Sequence, residues 1–505
     1  MLRRLADLPI LVILLALAGL AMLLPAAHAT VLDDDRLARI FAQSAGLVLT
    51  GALMLALATA GQRTTVLQGY LAGLAAAYLA LPVVFALPFV LALRDTTFAN
   101  AWFEMVSCFT TTGATLYDSP DRLAPSLHLW RALVGWLGGF YTLAVAGAIL
   151  PAMNLGGYEV ITGRTPGRGN AGLSQITRTA DPAERLARQA VTLFPPYAGI
   201  TILLWIVLLL TGEDGLVALS HAMSTLSTSG ISPGVDFEEV RAGFLGELAV
   251  FAFLCLALSR RFLPGPAILG RSPRIVDDPE LRLAAVILAV VSTVLVLRHL
   301  YSVDIASGIP GVSEALRAWW GALFTALSFL TTTGFESSEW DVARDWLGTG
   351  SPGLVLAALA VIGGGVATTA GGVRLLRILA LFRLGQRELE QVIFPSSVGG
   401  GGSDARRLRG EGAYAAWVFF MLFATSIGVV TAALTLAGVE FEPALVFGLS
   451  ALTLTGPLAE VAGGVPFDWA ALGLPAKAIL AMAMIVGRLE ILAVLALLSP
   501  ALWRR

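Results

Sequence analysis

A chain of 505 residues that is 57% hydrophobic and only 13% charged, with a mean hydropathy of +0.80, reads as a polytopic membrane protein, because soluble domains carry about 25% charged residues. A formal net charge of −2 offers no basic surface for nucleic acid. The two cysteines, Cys108 and Cys255, match no metal or redox spacing and read as small buried apolar side chains.

Crossing a bilayer takes about 20 mostly apolar residues. Ten such runs are predicted, near 7–28, 41–62, 68–93, 131–151, 190–211, 243–262, 282–300, 352–382, 413–437 and 473–498. The first, between Arg3-Arg4 and Ala27-His28-Ala29, also has the outline of a secretory signal peptide. A second run follows at once, so the first is read as a retained helix; either way Asp33-Asp34-Asp35 falls outside. Four further apolar segments, 99–112, 216–229, 317–333 and 443–455, are too short to cross and read as re-entrant.

Loop charge sets the orientation, since short cytoplasmic loops collect Lys and Arg. Arg164, Arg168, Arg178, Arg185 and Arg188 share one loop, Arg260, Arg261, Arg271, Arg274 and Arg282 a second, and Arg383, Arg387, Arg406, Arg407 and Arg409 a third. With ten spans all three lie on one side together with Arg504-Arg505, so both termini are expected to be cytoplasmic. The opposite side holds Asp118, Asp121, Glu213, Asp214, Asp236, Glu238, Glu239, Glu336, Glu339, Asp341, Glu440 and Glu442, an acidic face that concentrates cations. Gly399 to Gly402 with Ser403 reads as a flexible linker.

Each re-entrant segment ends in a related turn: Thr110-Thr111-Thr112-Gly113, Ser227-Thr228-Ser229-Gly230, Thr331-Thr332-Thr333-Gly334 and Thr453-Leu454-Thr455-Gly456. The glycines recur at intervals of about 105 to 120 residues, long enough for helix, re-entrant loop and helix. Backbone outside a helix at membrane depth is tolerated where protein buries it or water wets it. Coordinating an ion is a reason to place it there: glycine lets successive carbonyls point the same way, Ser and Thr hydroxyls add oxygens, and four such loops replace the water shell of an alkali cation. The short helix before each loop directs its partly negative C-terminal end at the same place. One such turn alone would read as close helix packing; four in equivalent positions read as a filter.

The expected fold is therefore an all-α polytopic membrane protein, an N-terminal hairpin plus four helix, pore loop, helix repeats around a pseudo-fourfold pore. Its parts are residues 1–64 for the hairpin and 65–157, 158–263, 264–383 and 384–505 for the repeats, the last three each opening with a cytoplasmic loop.

The eighth run is interrupted by Gly363-Gly364-Gly365 and Thr368-Thr369-Ala370-Gly371-Gly372 before continuing through Arg374 and Arg377. Two readings are open on the residues alone, an unwound stretch or a tight helix crossing. Arg488, in the last run with Glu490 nearby, is either snorkelling to the interface or facing water or a partner. His221 reads as a packing residue, because no second metal ligand is spaced for it.

The pore-loop segments Phe109 to Thr115, His221 to Thr225, Leu330 to Phe335, and Ser450-Ala451 with Gly456-Pro457 resemble those of the TrkH/KtrB potassium-uptake family. So do Trp130-Arg131, Trp136-Leu137-Gly138-Gly139, Asp278-Pro279-Glu280-Leu281-Arg282, Thr369 to Gly372 and Gly487-Arg488-Leu489-Glu490-Ile491. The resemblance covers essentially the whole chain, and the extra hairpin matches the TrkH branch. It implies a channel-like potassium translocation subunit in a bacterial inner membrane, usually a homodimer, with potassium as substrate, no bound cofactor and no enzymatic activity. Filter roles carry over to Thr111, Thr112, Gly113, Thr228, Ser229, Gly230, Thr332, Thr333, Gly334, Leu454, Thr455 and Gly456. An intramembrane gate carries over to Gly363, Gly364, Gly365, Thr368, Thr369, Gly371 and Gly372, with Arg488 bracing it from the pore axis. Glycine in all four turns accompanies potassium preference in the family.

The chain departs from the family pattern at three places: Phe253 to Leu258 replaces a Gly-Gly-x-Asn-Phe signature, Thr453-Leu454-Thr455 stands where the fourth loop usually carries asparagine, so that Leu454 offers only a carbonyl, and Gly365 and Thr368 stand where the family often shows cysteine and serine. No nucleotide fingerprint is present, so regulation is expected from a separate cytosolic nucleotide-binding ring (TrkA/KtrA-like) docking on loops 158–188, 260–282 and 384–411. Rival readings are a sodium-permeable or poorly selective cation channel or symporter, and the potassium-binding subunit of an ATP-driven pump.

Overall fold

The computed structural model describes residues 9–59, 67–117, 119–148, 182–233, 242–262, 277–302, 312–340, 353–393, 411–463 and 466–490. In a bilayer each backbone polar group needs a partner within the protein, which helices supply, and the described residues form only helices and turns.

The N-terminal hairpin comprises α1 (Ile10–Ala21), α2 (Leu23–Val31) and α3 (Asp35–Ala58). Asp34 starts α3 by accepting the Leu37 N–H at 2.9 Å. α1 packs on α3, and His28 Nδ1 hydrogen-bonds Ser126 Oγ at 2.8 Å, so the first run packs into the body.

Four units follow, each a long helix, a short pore helix and a closing helix. The first is α4 (Leu67–Ala92), α5 (Phe98–Phe109) and α6 (Pro125–Ala148), and the second α7 (Pro182–Leu210), α8 (Gly215–Ser227) and α9 (Gly243–Leu254). The third is α10 (Pro279–Ser302), α11 (Val312–Leu330), and α12 (Gly353–Ile362) with α13 (Leu375–Ile393). The fourth is α14 (Glu411–Leu436), α15 (Phe441–Thr453), the single turn α16 (Leu458–Val461) and α17 (Leu474–Leu489). Each pore helix packs on the long helix before it, α5 on α4, α8 on α7, α11 on α10 and α15 on α14. Each also meets the closing helix of the preceding unit: α8 meets α6, α11 meets α9, α15 meets α12, and α5 meets α17. The last pairing joins the fourth unit back to the first, and the four units close into a ring.

Seven helices among the described residues are long and apolar enough to cross a membrane. Their outer faces are apolar: on α10 the exposed Val286, Val290, Val294 and Leu297 recur at helical spacing while Ala284, Leu288 and Leu295 are buried on the other side. The remaining three predicted spans are not continuous helices. α9 stops at Leu254 and continues as short 3₁₀ turns, Cys255–Leu258 and Arg260–Phe262, separated by the extended Ser259. The 352–382 run leaves the helix between Ile362 and Leu375, and α17 ends at Leu489, followed by Glu490 with φ 63°. The breaks supply one another with partners. Gly365 N–H donates to Ala257 O at 3.0 Å, and Glu490 pairs with Arg374 and Arg377 at 3.0 and 2.8 Å. Hydropathy registers the apolar content of these runs but not where their backbone leaves the helix.

Arg164, Arg168, Arg178, Arg271, Arg274, Arg406, Arg407, Arg409, Arg504 and Arg505 lie outside the described residues, as do Gly399 to Gly402, Asp118, Asp236, Glu238, Glu239, Asp341 and the chain from 491 onward.

Candidate ion filter and gate

The four pore helices end alike. Thr111, Thr228, Thr332 and Leu454 have φ of 57°, 51°, 59° and 63°, left-handed values that are outliers for β-branched or bulky residues. The next N–H reaches back five residues: Thr112 to Ser107 O at 2.9 Å, Ser229 to Ser224 O at 3.0 Å, Thr333 to Ser328 O at 2.9 Å and Thr455 to Ser450 O at 2.9 Å. This helix ending normally places glycine at the left-handed position. A non-glycine residue there costs about 1–3 kcal/mol and persists only where the surroundings enforce it, which is common at functional sites. The sequence reading assigned no role to Ser107, Ser224, Ser328 and Ser450. Their signal is positional, since each stands six residues before its filter glycine.

Several hydroxyls of the four turns are engaged with one another. Thr110 Oγ1 pairs with Thr112 Oγ1 at 2.8 Å, Ser227 Oγ donates to Ser229 Oγ at 3.0 Å, and Thr331 Oγ1 pairs with Thr333 Oγ1 at 3.1 Å. Thr453 Oγ1 turns back to Leu449 O at 2.8 Å. These hydroxyls tie each loop to itself and to its pore helix. Thr111 Oγ1 and Thr455 Oγ1 are buried without a hydrogen-bond partner among the described residues.

The glycines join the loops in cyclic order. A side chain on Gly113 would run into Ser229 O, one on Gly230 into Thr333 O, one on Gly334 into Pro457, and one on Gly456 into the Ala114 backbone. Gly456 N–H also donates to Thr112 O at 2.6 Å. The carbonyls of Thr112, Ser229 and Thr333 therefore each face a glycine of another loop, and the four loops converge at one place. Gly113, Gly230 and Gly334 have φ of 78°, 64° and 88°; Gly456 is absent from the positive-φ set, so the fourth turn differs in its last step. Leu454, 1% exposed, belongs to the apolar core while its backbone follows the threonines of the other loops.

The stretch from Gly363 to Arg374 is a hairpin-like excursion. Val373 N–H to Val361 O (2.8 Å), Arg374 N–H to Ile362 O (2.7 Å) and Leu375 N–H to Gly364 O (2.9 Å) close its base. Its far part meets all four pore-helix ends. Gly371 N–H donates to Thr332 Oγ1 at 2.7 Å, Thr369 Oγ1 to Leu226 O at 3.4 Å, and Gly371 abuts Thr453 O. Arg488 supplies the fourth link, donating from Nε to Thr110 O at 2.7 Å and from Nη1 to Thr369 O at 2.6 Å. Thus the loop unwinds, and Arg488 is 5% exposed and braces it. Of the gate residues, Thr369, Gly371 and Arg488 reach the filter; Gly363, Gly364, Gly365 and Gly372 lie toward the base; and Thr368 Oγ1 bonds Gly365 O at 2.8 Å within the loop.

Comparison with known proteins follows the same geometry. The family described as TrkH, cation transport protein, matches residues 269–504. The Trk system potassium uptake protein TrkH of Escherichia coli (strain K12) is 29% identical over 429 residues, 83% of this chain and 82% of that protein. TrkG of the same strain is 27% identical over 416 residues, 81% and 79% of the two chains. The crystal structure of the potassium transporter TrkH from Vibrio parahaemolyticus superposes with a TM-score of 0.76 at 25% identity over 99% of each chain. The chain is similar to TrkH proteins over most of its length.

Further residues hold the four turns and the 363–374 loop in place. Glu280 accepts the Val366 N–H of the gate loop at 2.9 Å, and Asp278 accepts from Ser259 Oγ at 2.6 Å and pairs with Arg261 at 3.1 Å. The Asp278-Pro279-Glu280 motif therefore ties the break in the second unit to the gate loop in the third. Behind the first loop, Glu104 accepts from Arg131 Nε at 2.7 Å and from the Leu116 N–H at 2.9 Å. Burial pushes the Tyr117 phenol up to about 12, so its hydroxyl stays protonated beside Thr96 Oγ1 at 2.8 Å. Arg377 lies 3.7 Å from the centre of the Phe419 ring and pairs with Glu490, a second anchor for the start of α13. Several of these residues belong to the motifs quoted above, but their tasks are not legible in the sequence, because their partners lie far away along the chain.

Proposed function

We propose that this chain is the pore subunit of a Trk-type system that takes potassium up across the bacterial inner membrane. The observation that carries the reading is the closed ring of four loops, in which each glycine abuts the next loop and the carbonyl and hydroxyl oxygens of the four turns are brought together. A dehydrated alkali cation needs such oxygens in place of water. Four pore-helix C-termini add partial negative charge at that point, and the acidic outer segments raise the local cation concentration. Relatives named for potassium uptake supply the ion.

The gate loop is read as a plug beneath the filter, held by Thr332, Leu226 and Arg488, which ions pass when it withdraws. Arg488 Nη2 has no hydrogen-bond partner among the described residues, consistent with a positive charge left facing an ion path. Cytoplasmic termini, a homodimer, and a cytosolic nucleotide-binding ring acting on the gate through the loops near 158–188, 260–282 and 384–411 belong to the same reading. Leu454 needs no separate account, since it contributes a carbonyl in the same turn as the threonines.

The test is potassium and sodium flux into liposomes holding the purified protein beside Gly113→Ser. Wild type is expected to prefer potassium, and the serine, driven against Ser229 O, to lose that preference. Equal movement of both ions in both proteins would overturn the filter reading.

A further inference from the structure

α9 carries one carboxylate in an otherwise apolar run, Glu247, and it is 1% exposed. An acid in that setting is costly unless it is fully partnered. Its partners come from the neighbouring unit. Oε2 accepts from Trp320 Nε1 at 2.8 Å and from Ser337 Oγ at 2.8 Å; Oε1 accepts from the Ser338 N–H at 2.7 Å and from Ser338 Oγ at 2.5 Å. No ion pair to Glu247 occurs among the described residues. An ionised carboxylate only accepts, and four donors from one pore loop and its helix surround this one.

Ser337 and Ser338 come three and four residues after Gly334. The Ser337 N–H is also received by Thr325 Oγ1 at 3.3 Å, from six residues before Thr331. The first unit has the same construction at the same spacing. Glu104, six residues before Thr110, receives the N–H of Leu116, three residues after Gly113. In the third unit a neutral threonine occupies that position, and the carboxylate arrives from the second unit instead. The fourth unit has Phe447 there, packed against Trp469 at 4.6 Å and Phe467 at 6.0 Å.

Resting on the filter reading above, we infer that Glu247 is a positioning residue for ion selection: it clamps the chain leaving the third filter loop and so holds the third-loop carbonyls at the spacing that separates potassium from sodium. Trp320 extends the clamp into the packing between units, lying 4.9 Å from Phe244 and 5.4 Å from Phe251 of α9. Spacing matters because a filter discriminates by how well its oxygens replace the water of one ion and not another. A loop held at its helix end alone would be free to follow a smaller cation.

The test uses the full-length protein in liposomes and compares wild type with Glu247→Gln and Glu247→Asp. The potassium-to-sodium flux ratio and hydrogen exchange over residues 335–340 are read together. Gln keeps the size but offers one acceptor oxygen and turns an NH₂ toward donors. It is expected to speed exchange of the Ser338 amide and to lower the flux ratio by about tenfold, the scale of losing charge-assisted bonds. Asp keeps the charge and is expected to recover part of both. Faster exchange with an unchanged ratio would reduce Glu247 to a structural tie and overturn the inference, as would unchanged exchange. A wild-type protein with no potassium preference would overturn the filter reading and this inference with it. That result is recognisable because it appears without any substitution.

Discussion

Glu104 and Arg131 meet at 2.7 Å with side chains 0% and 4% exposed, and they illustrate how a single contact holds the first loop. Removing one partner of a buried pair leaves a charge with no compensation and costs about 3–5 kcal/mol, more than the pair itself contributes. Glu104→Ala is therefore expected to lower the thermal unfolding temperature of the purified protein sharply, and Arg131→Met to do so comparably. The double substitution should recover part of the loss, because no lone charge remains. A double variant as unstable as the sum of the singles would show that the two residues act independently. The same weighing applies to Leu454. Glycine there would relieve about 1–3 kcal/mol of left-handed strain, but emptying a buried leucine site costs about 2–5 kcal/mol. Leu454→Gly is thus expected to destabilise on balance, measured by the same unfolding assay.

Among elements, the gate loop has the most to lose from one changed acceptor. Its Val366 N–H has Glu280 as partner, 86 residues away along the chain, and a buried N–H left without an acceptor costs about 1–3 kcal/mol. Glu280→Leu should therefore loosen the loop, seen as faster hydrogen exchange over 363–374 and higher resting potassium flux. Rapid exchange with resting flux unchanged would separate the loop from the gate. The glycine clusters left an unwound stretch and a tight helix crossing both open here, and the four turns ending in glycine were legible as related segments that the structure brings together. The breaks at Ser259 and Glu490 were not, because apolar composition continues through both and the cause lies in partners, Asp278 for Ser259 and Arg374 with Arg377 for Glu490. The hydrogen bonds among the turn hydroxyls are likewise legible only in the geometry. Glu247 was a visible signal passed over, a lone acid within an apolar run.

For the whole molecule the deciding contacts are those that shut the ring, and they join its two ends. Lys477 donates to Asn100 Oδ1 at 3.0 Å across 377 residues, and Arg488 to Thr110 O at 2.7 Å across 378. Arg488 further holds Thr369 O of the third unit, so one guanidinium links units one, three and four. Two rigid donors on a planar fork suit this task better than a single ammonium. Arg488→Gln loses the charge and the fork, while Arg488→Lys keeps the charge alone. Gln is expected to raise potassium flux by about tenfold in liposomes without any cytosolic partner, the scale of one or two lost hydrogen bonds to a charged group. If Lys stays closed, positive charge on the ion path is what blocks; if Lys leaks as Gln does, bracing of Thr369 is what blocks. A Gln variant that unfolds at lower temperature yet passes no more potassium than wild type would make Arg488 a ring-closing residue with no part in the gate.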